Sequence, residues 1–321
     1  MSKDRKPLIV FTDDVSACQD VTRGWLFLRP NFDLLIEALN QDLSPIFIVT
    51  NTRRVSPQRA SHLLRESCGV VRDAIERVRQ YRPDFEPTIA NYCDASLLGQ
   101  FPIETDVIAK ELGPFSAMLL IPAFVDAVYI TRDSVHYARV NDRLVPAHKN
   151  AASRDPLLGL STSYLPGYIE EKTKGRIRSH QVTRLLHSDL PSAQVAQLTK
   201  LSENAVCVVD CESEHALEQI MAVITHAQAL GHRFLVRGSA KVISALVGYD
   251  RTDEDASTDW HLSDNLRPGI VVVGSPLPQA TEQLHALLEE RLAVGLHVDI
   301  SRMTTQPDGD NYASELAKAT E

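Results

Sequence analysis

The residues best suited to chemistry are two carboxylates, Asp13 and Asp14, directly after the apolar run Leu8 to Phe11. Ligands of open α/β sheets sit outside the carboxyl ends of strands, where side chains from several loops converge. A carboxylate placed there can orient or deprotonate a substrate hydroxyl, and phosphoryl transfer asks mainly for positioning and charge neutralisation. The same residues can equally cap a following helix, the usual task of short acidic residues after a strand. Gly274-Ser275 is a second candidate, a strand-to-helix turn whose backbone N–H groups could face a phosphate, although most such turns simply close a strand. No Gly-Gly, no Walker-type Gly-x-x-x-x-Gly-Lys loop and no Gly-x-Gly-x-x-Gly fingerprint occurs. Cys18, Cys68, Cys93, Cys207 and Cys211 are scattered without a Cys-x-x-Cys pair, so they read as reduced, mostly buried thiols, and no metal site is expected.

The elements that must hold these residues are legible as alternation. Short apolar runs at Leu8 to Phe11, Ile46 to Thr50, Met118 to Ile121, Ala205 to Asp210, Phe234 to Arg237 and Ile270 to Val273 alternate with helical stretches. This predicts an α/β protein with a mainly parallel sheet and flanking helices. The near-pure valine run at Ile270 to Val273 reads as a central strand covered on both faces. Leu34, Leu35, Ile36 and Leu39 share one helical face, and Pro57 to Arg79 carries another helix. From Ala127 to Val145 the pattern alternates, with Asn141-Asp142 as a turn, so a β-hairpin excursion outside the main sheet is expected. The polar, acidic stretch 248–266 reads as a linker between a first domain, 1–247, and a small partial α/β unit, 267–321, with a helix from Gln279 to Ala293, a short strand at Leu296 to Ile300 and a polar tail.

Composition narrows the function classes. The chain has 321 residues, 44% of them hydrophobic, enough for a large core. With 33 basic against 42 acidic residues, its net charge of -9 opposes nucleic acid, whose binding rests on Lys and Arg. The N-terminus meets an apolar run too short for a signal peptide or membrane span, so a cytoplasmic location without membrane partners is expected.

Several segments, read in order, are similar to motifs of the four-carbon acid sugar kinase family, whose members phosphorylate acids such as threonate, erythronate and 3-oxo-tetronate with ATP. They are Phe11-Thr12-Asp13-Asp14, Thr50-Asn51-Thr52-Arg53, Phe101-Pro102-Ile103-Glu104, Pro122-Ala123-Phe124, Val135-His136-Tyr137, Glu171-Lys172-Thr173-Lys174-Gly175-Arg176, Val273-Gly274-Ser275 and Thr281-Glu282-Gln283-Leu284. The resemblance implies Asp13, Asp14 and Asp94 as catalytic residues. It implies Ser16, Arg53, Ser96, Tyr129 and Arg176 at the substrate, Arg237, Gly274 and Ser275 at the nucleotide, and ATP with Mg²⁺ as cofactors.

The chain also departs from the family. Where the family resembles Asp-Asp-Leu-Thr-Gly-Ala, this chain reads Asp13-Asp14-Val15-Ser16-Ala17-Cys18, losing a glycine that permits close backbone approach. Where the family resembles Ser-Arg-Ser-Asp-Ser-Thr-Leu-Arg-Gly-His, it reads Asn91-Tyr92-Cys93-Asp94-Ala95-Ser96-Leu97-Leu98-Gly99-Gln100, and a Gly-Gly-Arg triplet becomes Ala127-Val128-Tyr129. Three arginines that could fork onto a carboxylate are thus Tyr92, Leu98 and Tyr129. Arg53, Arg176 and Arg237 remain to compensate, and the replacements also suit a more neutral or apolar ligand. Family members continue for about another hundred residues, so residues 267–321 are expected to be only a truncated start of their nucleotide-binding part. The expectation is therefore a kinase homologue with impaired or altered activity. The alternatives are a non-catalytic pseudokinase that binds a metabolite or partner, and an enzyme repurposed to another substrate. An unfinished second unit also predicts self-association or a companion domain.

Overall fold

The computed structural model describes residues 6–18, 21, 23–41, 45–53, 55–125, 129–141, 143–150, 159–248, 270–275, 278–290 and 293–299. Contacts divide the chain into Met1–Thr258 and Asp259–Glu321. The first unit is built on eight parallel strands: β1 (Leu8–Thr12), β2 (Trp25–Phe27), β3 (Ile46–Val49), β4 (Thr88–Tyr92), β5 (Ala117–Ile121), β9 (Thr183–Leu185), β10 (Ala205–Val209) and β11 (Phe234–Gly238). Their spatial order is β2-β3-β1-β4-β11-β5-β10-β9. Three antiparallel strands, β6 (Tyr129–Arg132), β7 (Val135–Val140) and β8 (Arg143–Pro146), form a separate small sheet.

The strands alternate two apolar faces, as full coverage requires. Ile9, Phe11, Ile46, Ile48, Ile89 and Leu235 meet one hydrophobic cluster, with α1 (Phe32–Asn40), α2 (Pro57–Arg79), α3 (Ile103–Leu112) and α4 (Leu165–Lys172). Val10, Phe47, Ala90, Leu119 and Val236 meet the other, with α6 (Glu214–Ala229) and α7 (Ala240–Val247). A last helix of this unit, α5 (Pro191–Leu198), packs on α6. Helix α2 shows why its sequence is helical. Ala60, Leu64, Cys68, Val71, Ile75 and Val78 repeat at three- and four-residue spacing and are all buried. Pro57 opens the helix, and the Ser56 hydroxyl accepts from Arg59 N at 3.3 Å.

The expected α/β fold and the hairpin excursion are present, the latter as a three-stranded meander. Val140 pairs with Arg143 across the anticipated Asn141 turn. A second turn at Asp133 and Ser134, with φ of 50° and 63°, joins β6 to β7 in the manner of a primed hairpin turn.

The valine run is a correction. Residues 270–273 form no strand, and Ile270, Val271 and Val272 are 90%, 66% and 89% exposed. Residues 296–299 likewise form none. Apolar β-branched sequence makes a strand only where another strand meets its hydrogen-bonding groups, and none among the described residues does so here. The second unit does contain a helix, α8 (Pro278–Glu289). The anticipated linker and tail lie mostly outside the described residues. Among the described residues, no helix is long and apolar enough to cross a membrane.

Candidate functional site

Strand order creates the site. The chain leaves β1, passes through β2 and α1 to β3 on one side, then crosses through α2 to β4 on the other. The loops after β1, β3 and β4 therefore open side by side at the carboxyl edge, the switch point at which open α/β sheets bind ligands. These loops carry Asp13 and Asp14, Arg53, and Asp94.

The four side chains converge. Arg53 donates from Nε to Asp13 Oδ2 at 2.6 Å and from Nη2 to Asp13 Oδ1 at 3.1 Å. Its Nη2 also lies 3.4 Å from Asp14 Oδ2, and its Nη1 lies 3.5 Å from Asp94 Oδ2. Asp13 is buried, with 3% of its side chain exposed, whereas Asp14 and Asp94 are 39% and 33% exposed. Burial pushes the Asp13 carboxyl up to about 6 against the pull of the Arg53 hydrogen bond, and Glu104 adds to the rise. Arg53 is held firmly protonated: its three carboxylates outweigh the opposing effect of burial.

Asp94 is oriented from its own loop. Its Oδ1 accepts from Ser96 N at 2.8 Å and Ser96 Oγ at 2.5 Å, so the other oxygen faces Arg53. The small sheet braces this loop. His136 of β7 is fully buried, with Nε2 donating to Ala95 O at 2.7 Å and Nδ1 accepting from Thr131 Oγ1 at 3.0 Å. Desolvation lowers its pKa to about 4, so the ring is neutral and fixed as the Nε2–H tautomer. Tyr129 stacks on it with centroids 5.3 Å apart, and its hydroxyl accepts from Asn150 Nδ2 at 3.3 Å. Burial and then the nearby Asp94 carboxylate raise the Tyr129 pKa.

A buried polar layer supports the cluster. Glu104, in the first turn of α3, accepts from Thr52 Oγ1 at 2.7 Å and from Arg237 Nη1 at 2.9 Å. Arg237 also donates to Asn91 Oδ1, its neighbour in the sheet register, and its guanidinium lies 5.5 Å from the Phe101 ring centroid. Gly99 closes over this pair with φ +154°, where an added Cβ would stand 3.2 Å from Arg237 Nη2 and 3.9 Å from Asp13 Oδ2. Glycine is needed there for both conformation and space.

The structure thus brings together Asp13, Asp14, Arg53, Asp94 and Ser96, with Tyr129 nearby. Ser16 lies in a 3-10 turn, Val15–Cys18. Arg176 pairs with Asp106 at 2.6 Å beside a different cavity of about 550 Å³ that includes Phe115 and Met118. Arg237 is 2% exposed and pairs through Nη1 with Glu104. Gly274 and Ser275 are exposed and belong to the second unit. Two residues that depart from the family, Ala17 and Tyr92, are both buried in the cluster that contains α6 and α7. Glu104, Thr52 and His136 stood in motif segments without a role, and their polar character at buried positions was the available signal. Four of the five cysteines are buried and all are free. No group of three or more His, Cys, Asp or Glu among the described residues could hold a metal ion.

Comparison with known proteins matches this architecture. A domain of unknown function, DUF1537, from Bordetella bronchiseptica, described with bound citrate and as a domain-swapped dimer, aligns with a TM-score of 0.55 at 19% identity, covering 97% of this chain and 69% of that one. A Haemophilus influenzae protein of the same domain type aligns with a TM-score of 0.55 at 13% identity, covering 76% of this chain and 57% of that one. No curated protein matches the chain. The model of the sugar-binding N-terminal domain matches residues 8–246, nearly the whole of the strand and helix framework that assembles the acid cluster. The chain belongs to the family of the sugar-binding N-terminal domain of four-carbon acid sugar kinases.

Proposed function

We propose that this chain is a sugar-acid-kinase homologue that binds a small hydroxylated metabolite over Asp13, Arg53 and Asp94, with impaired phosphoryl transfer to acids such as threonate, erythronate and 3-oxo-tetronate. The observation that carries this reading is the commitment of Arg53 to Asp13 at 2.6 and 3.1 Å. With family arginines replaced at Tyr92, Leu98 and Tyr129, the remaining cation of the cluster is already neutralised by the protein itself. Asp94, held through Oδ1 by Ser96, keeps Oδ2 for a ligand hydroxyl and is the best-placed base.

ATP and Mg²⁺ are the cofactors that such a transfer would use. Of the residues named for the nucleotide, Arg237 is enclosed by Glu104 and Asn91, which weighs against a direct contact from that side chain. A non-catalytic binding or partner subunit is accordingly the second reading. The test is ADP release with ATP, Mg²⁺ and threonate or erythronate, expected to be slow or nil; turnover at an ordinary rate of about 10 per second would overturn impairment. Thermal shift with nucleotides and sugar compounds separates the binding reading, since a ligand of the folded state raises its stability. Citrate binding and domain swapping in the Bordetella relative support small-molecule binding and self-association here. Sedimentation as a monomer would oppose the latter.

A further inference from the structure

We propose that the cavity between α3 and the turn after α4 binds an aromatic amino acid as its zwitterion. The cavity holds about 550 Å³, within the usual range of a small-molecule site. Its floor is one row of side chains across neighbouring strands: Val206 of β10 pairs in register with Met118 of β5, and Met118 with Leu235 of β11. All are buried in the same hydrophobic cluster, so they stand on one face of the sheet. Neighbouring strands lie about 4.8 Å apart, so the row is about 10 Å across. Phe115, just before β5, joins it in the lining. An apolar floor of this width takes a single ring. The Met118 thioether and the Phe115 ring add the sulfur–aromatic and ring–ring contacts that favour an aromatic ring over an aliphatic chain.

The rim carries both signs of charge. Asp106 and Lys110 are four residues apart on α3 and share a face. Asp106 is taken by Arg176 at 2.6 Å, a pair that ties the helix to the turn after α4 and so fixes the two walls. Lys110 is exposed and has no partner among the described residues, which leaves its ammonium group for an anion. Glu203 also lines the cavity, exposed and without a partner among the described residues. The next residue sets its position: Phe115 N donates to Asn204 Oδ1 at 2.9 Å, and Asn204 N donates to Phe115 O at 2.8 Å. This clamp holds the Glu203–Asn204 turn beside Phe115.

An aromatic amino acid is the complement of this arrangement. Its ring covers the apolar row, its carboxylate accepts from Lys110 and its ammonium group donates to Glu203. A plain aromatic acid or amine meets only one of the two rim charges. Burial of the ring supplies most of the affinity. Each rim contact is partly exposed and adds up to about fivefold.

A matched set of probes tests this with the full chain, by calorimetry and ligand-observed NMR. They are L-phenylalanine, 3-phenylpropionate, which lacks the ammonium group, 2-phenylethylamine, which lacks the carboxylate, and L-alanine, which lacks the ring. At low salt phenylalanine should bind about fivefold tighter than either aromatic analogue, and alanine should show no binding at millimolar concentration. Lys110→Ala should weaken phenylalanine and phenylpropionate and leave phenylethylamine unchanged. Glu203→Gln should weaken phenylalanine and phenylethylamine and leave phenylpropionate unchanged. Both positions are exposed, so neither substitution threatens the fold. No binding of phenylalanine, equal binding of the three aromatic probes, or phenylalanine binding that neither variant weakens would overturn the proposal.

Discussion

Arg53 holds Asp13 in a two-pronged grip, Nε on Oδ2 at 2.6 Å and Nη2 on Oδ1 at 3.1 Å, with the carboxylate buried and the guanidinium partly exposed. Arg53→Ala leaves that buried carboxylate uncompensated and should destabilise the protein by about 3 kcal/mol in urea unfolding at neutral pH. Arg53→Lys keeps a charge but loses the planar fork, so its loss should be smaller. Equal losses for the two variants would mean that the fork geometry contributes nothing.

Asp13 and His136 give opposing pH dependences over one window. The Asp13 carboxyl is raised from 3.8 to about 6, so the folded state binds the proton more readily and stability falls as pH rises from about 4 to 6. The His136 ring is lowered from 6.5 to about 4, so the unfolded state binds the proton more readily and stability rises over nearly the same interval. Each effect is worth up to about 3 kcal/mol, and the two nearly cancel. Relative to the parent, Asp13→Asn should therefore gain a rising stability profile between pH 4 and 6, and His136→Gln a falling one. Parallel profiles for all three proteins would contradict the assignment.

The Glu104–Arg237 pair lends itself to a double-mutant cycle. Both side chains are 2% exposed, so Arg237→Met should cost about 3 to 5 kcal/mol by leaving Glu104 buried without its cation. Adding Glu104→Gln should recover part of that loss, since two neutral partners carry no desolvated charge. Additive losses would show that the pair is uncoupled.

Much of the framework could be read from the chain. The apolar runs that became β1, β3, β5, β10 and β11 declare themselves because both faces of those strands are covered. Helix α2 does so through its spacing and its Ser-Pro start. Strand β4 is less legible: Thr88 to Tyr92 carries Asn91, a buried amide made acceptable there by Arg237 on one neighbouring strand and Phe11 O on the other. The valine run at 270–273 shows the converse, strand-like sequence without a partner strand. The motif residues of the site were recognisable one by one, but not which of them meet.

By itself the sequence determined the composition of the site: Asp13 and Asp14 after one strand, Arg53 after another, Asp94 in a loop, and the family arginines absent. Only the tertiary structure decided that these residues share one mouth, that Arg53 is spent on Asp13, and that Arg237 lies beneath on Glu104, 133 residues away in sequence. The physical reason is that local pattern fixes which segments become strands, whereas strand order, set by long-range packing, fixes which loops are neighbours. Whether a charge is available to a ligand or already neutralised is a property of that neighbourhood, not of the residue type.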